Sequence, residues 1–505
     1  MTEWDGLEPR PERLDQLALR GAAGDVALLD RAGSLDFGAL DAAVGSLAAH
    51  LAERAQPGDR IASWLPKTRT ACLLALACAR AGLVHVPVNP LLRRAQVAYI
   101  LDDSGARLLV TQPARAKLLE EGDRPEGCEI VAEEDFATAH PAPLPASTGD
   151  TDALAALLYT SGSTGRPKGV MLSHANLWLG AISVAHYLRL APDDRTLAVL
   201  PLSFDAGLNQ LLSTWAAGAS VVPLDYLLAA DVVRAVERHA VTTLAGVPPL
   251  WVQLAEAHWP AETATRLRRL SATGGRMPAP VVRRLREIFP QANLYLMYGL
   301  TEAFRSTFLD PALVDAHPES IGRAIPFAEV LVARPDGSIA ADGEPGELVH
   351  AGPLVAQGYW RDPERTAQRF RSPPAASRLG GIAAWSGDGV VRGVDGLLRF
   401  VGREDEMIKV SGNRISPTEI EEAAIASGAV AEAVALGVPD ERLGQAIRLV
   451  ARAAPGAEAE ARLLHYFKTE LPTFQQPREI VWVDALPRNP NGKLDRVRVR
   501  EEHGA

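Results

Sequence analysis

The sequence predicts an α/β protein with a large N-terminal unit of parallel-rich sheets and helices and a smaller α+β unit at the C-terminus. From about residue 150 to residue 260, short apolar runs alternate with helical patterns, and residues 36–111 repeat this alternation. Strands that alternate with helices are typical of parallel sheets. After about Gly402 the pattern shifts to a smaller unit with its own helices. We therefore predict two domains, at residues 1–403 and 404–505.

The individual elements follow from the periodicity and the boundaries of the apolar runs. Short continuous apolar runs indicate buried strands, whereas apolar residues three and four positions apart indicate helices. Ser173 is typical of a helix N-cap, and Pro248 stands where the first helical turn tolerates proline. The predicted strands include 153–159, 196–202 and 219–224, and the predicted helices include one after Ser173 and those over 208–218, 229–239, 248–257 and 417–427.

Charge and composition exclude several classes of protein. The 505 residues carry a net charge of −10, which argues against nucleic acid or an anionic membrane as the main partner. The apolar run 71–79 ends at Arg80 and is too short to span a membrane. The charged N-terminus is not typical of a signal peptide. Because the three cysteines form no CxxC pair, they suit a reducing compartment, and we predict a cytoplasmic protein.

Residues 159–169 read YTSGSTGRPKG and predict a phosphate-binding loop. A P-loop of the Walker type requires a lysine directly after its second glycine, whereas Pro167 precedes Lys168 here. Hydroxyl side chains and glycines nevertheless allow close approach of an anion, and a lysine adds positive charge. The same composition in isolation also suits a flexible turn. The residues that we predict to hold phosphates are Thr160, Ser161, Gly162, Ser163, Thr164, Gly165 and Lys168.

This loop resembles the signature loop of the adenylate-forming superfamily, which contains acyl-CoA synthetases, peptide-synthetase adenylation domains and beetle luciferases. Further family motifs follow in the family's order over nearly the whole chain. They are SATGGRMP (271–278), MYGLTEA (297–303), SGDGVV (386–391), VGREDEMIK (401–409) and LPRNPNGKLDR (486–496). The resemblance implies that ATP and Mg²⁺ are the cofactors, and that a carboxylic acid is first adenylated and then transferred to a thiol.

The resemblance also implies a role for individual residues of these motifs. The small C-terminal domain of the family rotates between two poses, one that delivers a lysine for adenylation and one that opens a channel for the thiol. The implied roles are adenine contact for Gly274, Gly275 and Tyr298, α-phosphate contact for Thr301, Mg²⁺ binding for Glu302, ribose binding for Asp388 and Arg403, adenylation for Lys493, the thiol channel for Lys409 and the hinge for Asp405. Residues 346–370 match a further family stretch, which we interpret as scaffold.

The acid is predicted from the segment after the 196–202 strand. Phe204-Asp205 resembles the amino-acid-activating domains, in which the aspartate binds the substrate's ammonium group. A carboxylate in an apolar pocket is costly unless it is paired, which gives a physical reason for an ammonium ligand. Asp205 could instead cap the following helix, and Arg305 could bind a second polar group of the acid or pair with Asp205. The predicted pocket is Asp205, Ala206, Asn209, Gly246, Ser271, Thr273, Met297, Arg305 and Ser306.

We therefore predict a ligase that loads an amino acid onto the phosphopantetheine thiol of a separate carrier protein. The alternative is an acyl-CoA synthetase for a fatty, aryl or other small acid, with CoA as the thiol. YGLTEAFRSTFL (298–309) also resembles bacterial acyl-CoA ligases linked with exosortase systems. A different class, a non-catalytic nucleotide-binding regulator, should lack Lys168, Glu302 or Lys493, and all three are present.

Overall fold

The computed structural model describes residues 6–160, 167–403, 408–410, 413–440, 444–456, 458–471 and 473–504. In chain order, the strands are β1 (Val26–Asp30), β2 (Gly33–Asp36), β3 (Arg60–Trp64), β4 (Val84–Pro87), β5 (Ala106–Thr111), β6 (Glu129–Ala132), β7 (Leu154–Thr160), β8 (Lys168–Ser173), β9 (Arg195–Ala198), β10 (Ser220–Pro223), β11 (Thr243–Gly246), β12 (Arg269–Ala272), β13 (Asn293–Tyr298), β14 (Thr307–Leu309), β15 (Ser320–Ala324), β16 (Glu329–Ala333), β17 (Pro345–Ala351), β18 (Phe370–Arg371), β19 (Ala383–Arg392), β20 (Leu398–Arg403), β21 (Ile408–Val410), β22 (Asn413–Ile415), β23 (Val430–Asp440), β24 (Gly444–Ala453) and β25 (Glu479–Trp482).

The α-helices are α1 (Phe37–Ala52), α2 (Arg69–Arg80), α3 (Arg94–Ser104), α4 (Pro113–Ala116), α5 (His174–Tyr187), α6 (Asp205–Ala216), α7 (Ala229–Arg238), α8 (Pro248–Glu256), α9 (Ala261–Arg266), α10 (Ala279–Ile288), α11 (Pro363–Arg369), α12 (Pro417–Ala426), α13 (Ala459–Glu470) and α14 (Arg496–His503). The predicted N-cap is confirmed, since the Ser173 side chain accepts a hydrogen bond from the Asn176 N–H. No helix of the described residues is both long and apolar enough to cross a membrane.

A large sheet with a parallel centre forms most of the N-terminal unit. Strands β1, β10, β9, β11, β12 and β13 run parallel side by side, and antiparallel strands continue the sheet from β14 to β16. The predicted strand at 196–202 ends early, at Ala198, and α6 begins at Asp205 rather than at residue 208. Because the chain leaves the sheet before Pro201, the Phe204-Asp205 pair lies at the N-terminal end of α6.

A second sheet has the order β6-β5-β3-β4-β7-β8 and is parallel except for its last pair. Strands β7 and β8 form that antiparallel pair and flank the predicted phosphate loop, with Thr160 opposite Lys168. Ser161, Gly162, Ser163, Thr164 and Gly165 lie outside the described residues.

The C-terminal unit has its own sheet and core. Its sheet has the order β22-β21-β24-β23, with β25 parallel to β24, and its helix α12 packs an apolar core with α13. The last strand of the large sheet ends at Arg403, and the first strand of the small sheet begins at Ile408. The fold class is therefore confirmed, whereas the domain boundary at 403/404 stays a prediction. Asp405 lies outside the described residues, as do the side chains of Arg403 and Lys409.

Candidate active site

Three side chains from distant segments meet at the end of the β7–β8 pair. Lys168 Nζ lies 3.0 Å from Glu302 Oε1 and donates to the Tyr359 hydroxyl at 2.7 Å. The same hydroxyl lies 2.7 Å from Glu302 Oε1. Opposite Lys168, the Thr160 hydroxyl is buried and has no hydrogen-bond partner among the described residues. An unpaired hydroxyl and a lysine thus flank the predicted phosphate loop in the chain, and a carboxylate lies beside the lysine.

Glu302 is held in its ionised form at this place. It shares the short 3-10 turn Thr301–Ala303 with the residue predicted to contact the α-phosphate. Burial alone would raise its pKa, but the charge of Lys168 and the hydrogen bond from Tyr359 outweigh burial and hold the pKa of Glu302 below its usual value. Burial and the neighbouring Glu302 raise the pKa of Tyr359, so its hydroxyl stays protonated.

This arrangement fits a magnesium ion bound together with a nucleotide. Magnesium in nucleotide enzymes is bound by one or two carboxylates together with substrate phosphates and water. One ionised carboxylate, that of Glu302, lies beside Lys168, the lysine predicted to bind phosphates. Glu302 would therefore hold the ion, and Lys168 would bind the phosphates.

The residues predicted for adenine and ribose also lie together. Tyr298 ends β13, and its hydroxyl donates to Asp388 Oδ2 at 2.5 Å. Asp388 is opposite Arg403 in the antiparallel β19–β20 pair. The hydroxyl of Ser386 accepts from the Asp388 N–H at 3.0 Å, across Gly387, which has φ +69°. The predicted base-stacking ring and ribose carboxylate are therefore neighbours.

Lys493, the predicted adenylation lysine, lies against the N-terminal unit. Its Nζ is 4.4 Å from the centroid of the Phe204 ring. A Cβ added at Gly274 would come within 2.6 Å of the Lys493 Cε, and Gly274 has φ +81°. A side chain at position 274 would therefore be strained and would displace the lysine.

A short turn in the C-terminal unit presents this lysine. The Asn489 side chain accepts hydrogen bonds from the N–H groups of Asn491 and Lys493, both at 3.0 Å. Gly492 completes the turn with φ +80°, a left-handed conformation that glycine adopts at little cost. From the N-terminal unit, Asn89 donates to Pro490 O at 2.7 Å and to Asn491 Oδ1 at 3.1 Å. The turn is thus bound to both units.

Two ion pairs also join the units. Arg276, which follows the glycines of the predicted adenine loop, pairs with Glu422 on α12. Arg452 on β24 lies 3.9 Å from Glu256 on α8. Arg276 has no role predicted from the sequence, and its partner lies far away in the chain, on α12.

A narrow cavity of about 30 Å³ lies between helices α5 and α6 and the strands β9, β11 and β12. Six of the nine residues predicted for the acid pocket line it: Ala206, Asn209, Ser271, Thr273, Met297 and Arg305. Gly246, Ser306 and Asp205 are not among the lining residues. Ser306 Oγ is instead 2.9 Å from His350 Nδ1, and burial lowers the pKa of His350 to about 3.

Asp205 and Arg305 form a buried ion pair beside this cavity. Arg305 Nη1 donates to Asp205 Oδ2 at 3.0 Å, and the two side chains are 4% and 2% exposed. Asp205 Oδ1 accepts from the Ala206 N–H at 2.7 Å, and Phe204, not Asp205, is the N-cap of α6. Of the interpretations left open by the sequence, the structure supports the pairing with Arg305. Phe304 adopts φ +58°, and Arg305 also donates to its carbonyl oxygen.

Sequence reasoning missed Tyr359, Asn89 and Phe204 as contacts within the site. Tyr359 belongs to the 346–370 stretch, for which the scaffold interpretation is too narrow because its hydroxyl contacts Glu302 and Lys168. The match of that stretch to the family was the available signal. Asn89 lies in none of the motifs, so no local pattern indicated it.

Comparison with known proteins identifies the family. Residues 16–360 match the profile described as "AMP-binding enzyme", and residues 419–493 match "AMP-binding enzyme C-terminal domain". The chain belongs to the AMP-binding, adenylate-forming enzyme family. Its matches include AMP-forming ligases, and structures of the family contain ATP and Mg²⁺.

Several members are similar over almost the whole chain. A feruloyl-CoA synthase from an Amycolatopsis species is 34% identical over 483 residues, which cover 93% of this chain and 94% of that protein. Tyrocidine synthase 2 from Brevibacillus parabrevis is 30% identical over 92% of this chain but only 13% of its own length. The structure of O-succinylbenzoate coenzyme A synthetase from Bacillus subtilis with ATP and a magnesium ion gives a TM-score of 0.84 at 26% identity and covers 97% of this chain and 99% of that chain.

Proposed function

We propose that this protein is an ATP-dependent, AMP-forming ligase that adenylates a carboxylic acid and transfers the acyl group to a pantetheine thiol. The observation that carries the proposal is the position of Lys493, which reaches from the C-terminal unit to Gly274 and Phe204. In that position its charge stabilises the transition state in which the acid's carboxylate oxygen attacks the α-phosphorus and pyrophosphate leaves. In the second step the thiol attacks the acyl carbon, and AMP is released.

The remaining residues of the site bind different parts of the nucleotide. Lys168 and Thr160 bind the outer phosphates, Thr301 contacts the α-phosphate, and Asp388 accepts hydrogen bonds from ribose hydroxyls. Magnesium held by Glu302 would neutralise the charge that develops on the leaving pyrophosphate. Tyr359 orients the Glu302 carboxylate and, together with the charge of Lys168, keeps it ionised.

The ion pair of Asp205 and Arg305 favours an acid without an ammonium group. A buried carboxylate needs one compensating charge, and Arg305 already supplies it at 3.0 Å. The physical reason for an amino acid substrate is thereby removed, although the likeness of Phe204-Asp205 to amino-acid-activating domains remains. The similarity to a feruloyl-CoA synthase over nearly its full length supports an aryl or similar acid and CoA as the acceptor. We therefore place the acid–CoA ligase first and the aminoacyl ligase acting on a carrier protein second.

Separating the two half-reactions tests the proposal. Lys493→Ala should slow acid-dependent ATP–pyrophosphate exchange by about 10²–10³-fold, since one charge contact to the transition state is lost. Transfer from a preformed acyl adenylate to CoA should change little. Lys468→Ala, which removes an exposed lysine of α13, is the matched control. An equal loss in both half-reactions would contradict the assignment of Lys493. If the adenylate forms but CoA is not acylated, the carrier-protein alternative becomes the better one.

A further inference from the structure

The acid cavity contains polar side chains that lack partners within the protein. Asn209 is 2% exposed and Ser271 is 1% exposed, and both line the cavity. Both amide atoms of Asn209 lack a hydrogen-bond partner among the described residues. The hydroxyl groups of Ser271 and Thr243 lack one as well. Buried polar groups are nearly always paired, so unpaired ones in a cavity point to a ligand.

Other polar side chains of the same cavity do have partners. Ser213 Oγ donates to Asn209 O at 2.6 Å. Thr214 Oγ1 donates to Thr196 Oγ1 at 2.8 Å, and Gln210 accepts from the Leu200 N–H at 3.0 Å. These side chains hold the walls together. Arg305 donates through Nη1, but its buried Nε has no hydrogen-bond partner among the described residues. The unpaired groups of Asn209, Ser271, Thr243 and Arg305 therefore form a distinct set within one cavity.

We propose that this cavity selects a carboxylic acid with an uncharged hydroxyl group at its far end, bound by Asn209 and Ser271. The inference rests on the proposed adenylation function and names its substrate class. An amide and a hydroxyl together offer both donors and acceptors, so they match a group that itself donates and accepts. An anionic far end would need an additional cation, whereas the charge of Arg305 is compensated by Asp205.

The depth of these residues limits the length of the acid. Gly274 lies against Lys493. Ser271 stands three residues before Gly274, which corresponds to at most about 10 Å of extended chain. Asn209 lies about 6 Å along α6 from Asp205, which begins the helix. Apolar side chains, among them Val184, Leu200 and Met297, also line the cavity. The substrate class is thus a slender acid with an apolar body and a hydroxyl group up to about 10 Å from its carboxylate.

Matched pairs of acids that differ by one hydroxyl group test the inference. The pairs are 4-hydroxycinnamate and cinnamate, 8-hydroxyoctanoate and octanoate, and tyrosine and phenylalanine, each measured by ATP–pyrophosphate exchange. In the pair that the wild type accepts, the hydroxylated acid should have a kcat/KM about ten- to a hundredfold higher, because its analogue leaves buried groups unpaired. The first two pairs distinguish a rigid aryl body from a flexible chain.

Variants then assign the preference to the proposed residues. Asn209→Leu and the smaller change Ser271→Ala should each reduce the preference for the hydroxylated acid at least several-fold. Pyrophosphate exchange with the acid that lacks the hydroxyl group should continue in both variants. Ser213→Ala removes a hydroxyl group from the same cavity that is already bonded, so it should keep the preference. Equal rates within every accepted pair, or a preference unchanged in both variants, would overturn the inference. If none of the acids supports pyrophosphate exchange, the proposed adenylation function is contradicted instead.

Discussion

At the scale of single residues, Tyr359 and Glu302 connect the phosphate site to pH. Tyr359→Phe removes the hydrogen bond that helps to hold the pKa of Glu302 below its usual value of 4.5. The pKa of Glu302 should therefore rise, and the acidic limb of the activity profile should move to higher pH. Loss of a partner that orients a metal ligand typically weakens metal binding about 10–100-fold. Pyrophosphate exchange as a function of pH and Mg²⁺ concentration measures both effects.

The control for this change is Tyr466→Phe, which removes a hydroxyl group from α13 in the C-terminal unit. It should leave the Mg²⁺ dependence unchanged. A Tyr359→Phe enzyme with the wild-type Mg²⁺ requirement would contradict the orienting role. Because its folded-state pKa is lowered, Glu302 also contributes stability at neutral pH that is lost as the pH falls below about 4.5 and through that lowered value.

The same residues show what the sequence can predict at this scale. The structure brings Tyr298 to Asp388 and Lys168 to Glu302, and all four stand in motifs of the family. Tyr359 stands in the 346–370 stretch, which also matches the family but does not indicate its partners, and Asn89 stands in no motif. Asn89 contacts a turn about 400 positions later, and no periodicity within a segment encodes a contact over that separation.

At the scale of elements, helix α12 connects the C-terminal unit to the adenine loop through the pair of Glu422 and Arg276. Glu422→Arg places two like charges together, which opposes this docking. We expect adenylation to fall by about tenfold or more, since like charges across an interface cost several kcal/mol. Transfer from a preformed adenylate should be unaffected. Pyrophosphate exchange and acyl transfer are measured separately above pH 7, because burial raises the pKa of Glu422 to about 7.

The reciprocal variant Arg276→Glu, Glu422→Arg restores opposite charges and is the control. It should recover most of the lost exchange activity, whereas no recovery would mean that the pair does not hold this interface. Periodicity predicts α12 itself, because its apolar positions pack the small core. It does not predict the docking partner, since charges on the outer face of a helix carry no information about a distant loop. Likewise, the early start of α6 follows from the end of β9, not from the pattern of the helix.

At the scale of the whole molecule, the two proposed steps require two poses of the C-terminal unit. The structure has the pose in which Lys493 reaches the N-terminal unit. The proposed thiol step requires the second pose, in which the thiol channel is open. The motif likeness places the hinge at Asp405, which stays a prediction. Proline fixes φ and so restricts a rotation about that residue. Asp405→Pro should therefore keep pyrophosphate exchange near the wild-type rate and slow thioester formation at least tenfold. Single-turnover acyl transfer to CoA measures the rate of thioester formation.

Asp405→Ala is the control, since it removes the carboxylate without restricting φ. A deficit of the same size in Asp405→Ala, or unimpaired thioester formation in Asp405→Pro, would place the hinge elsewhere.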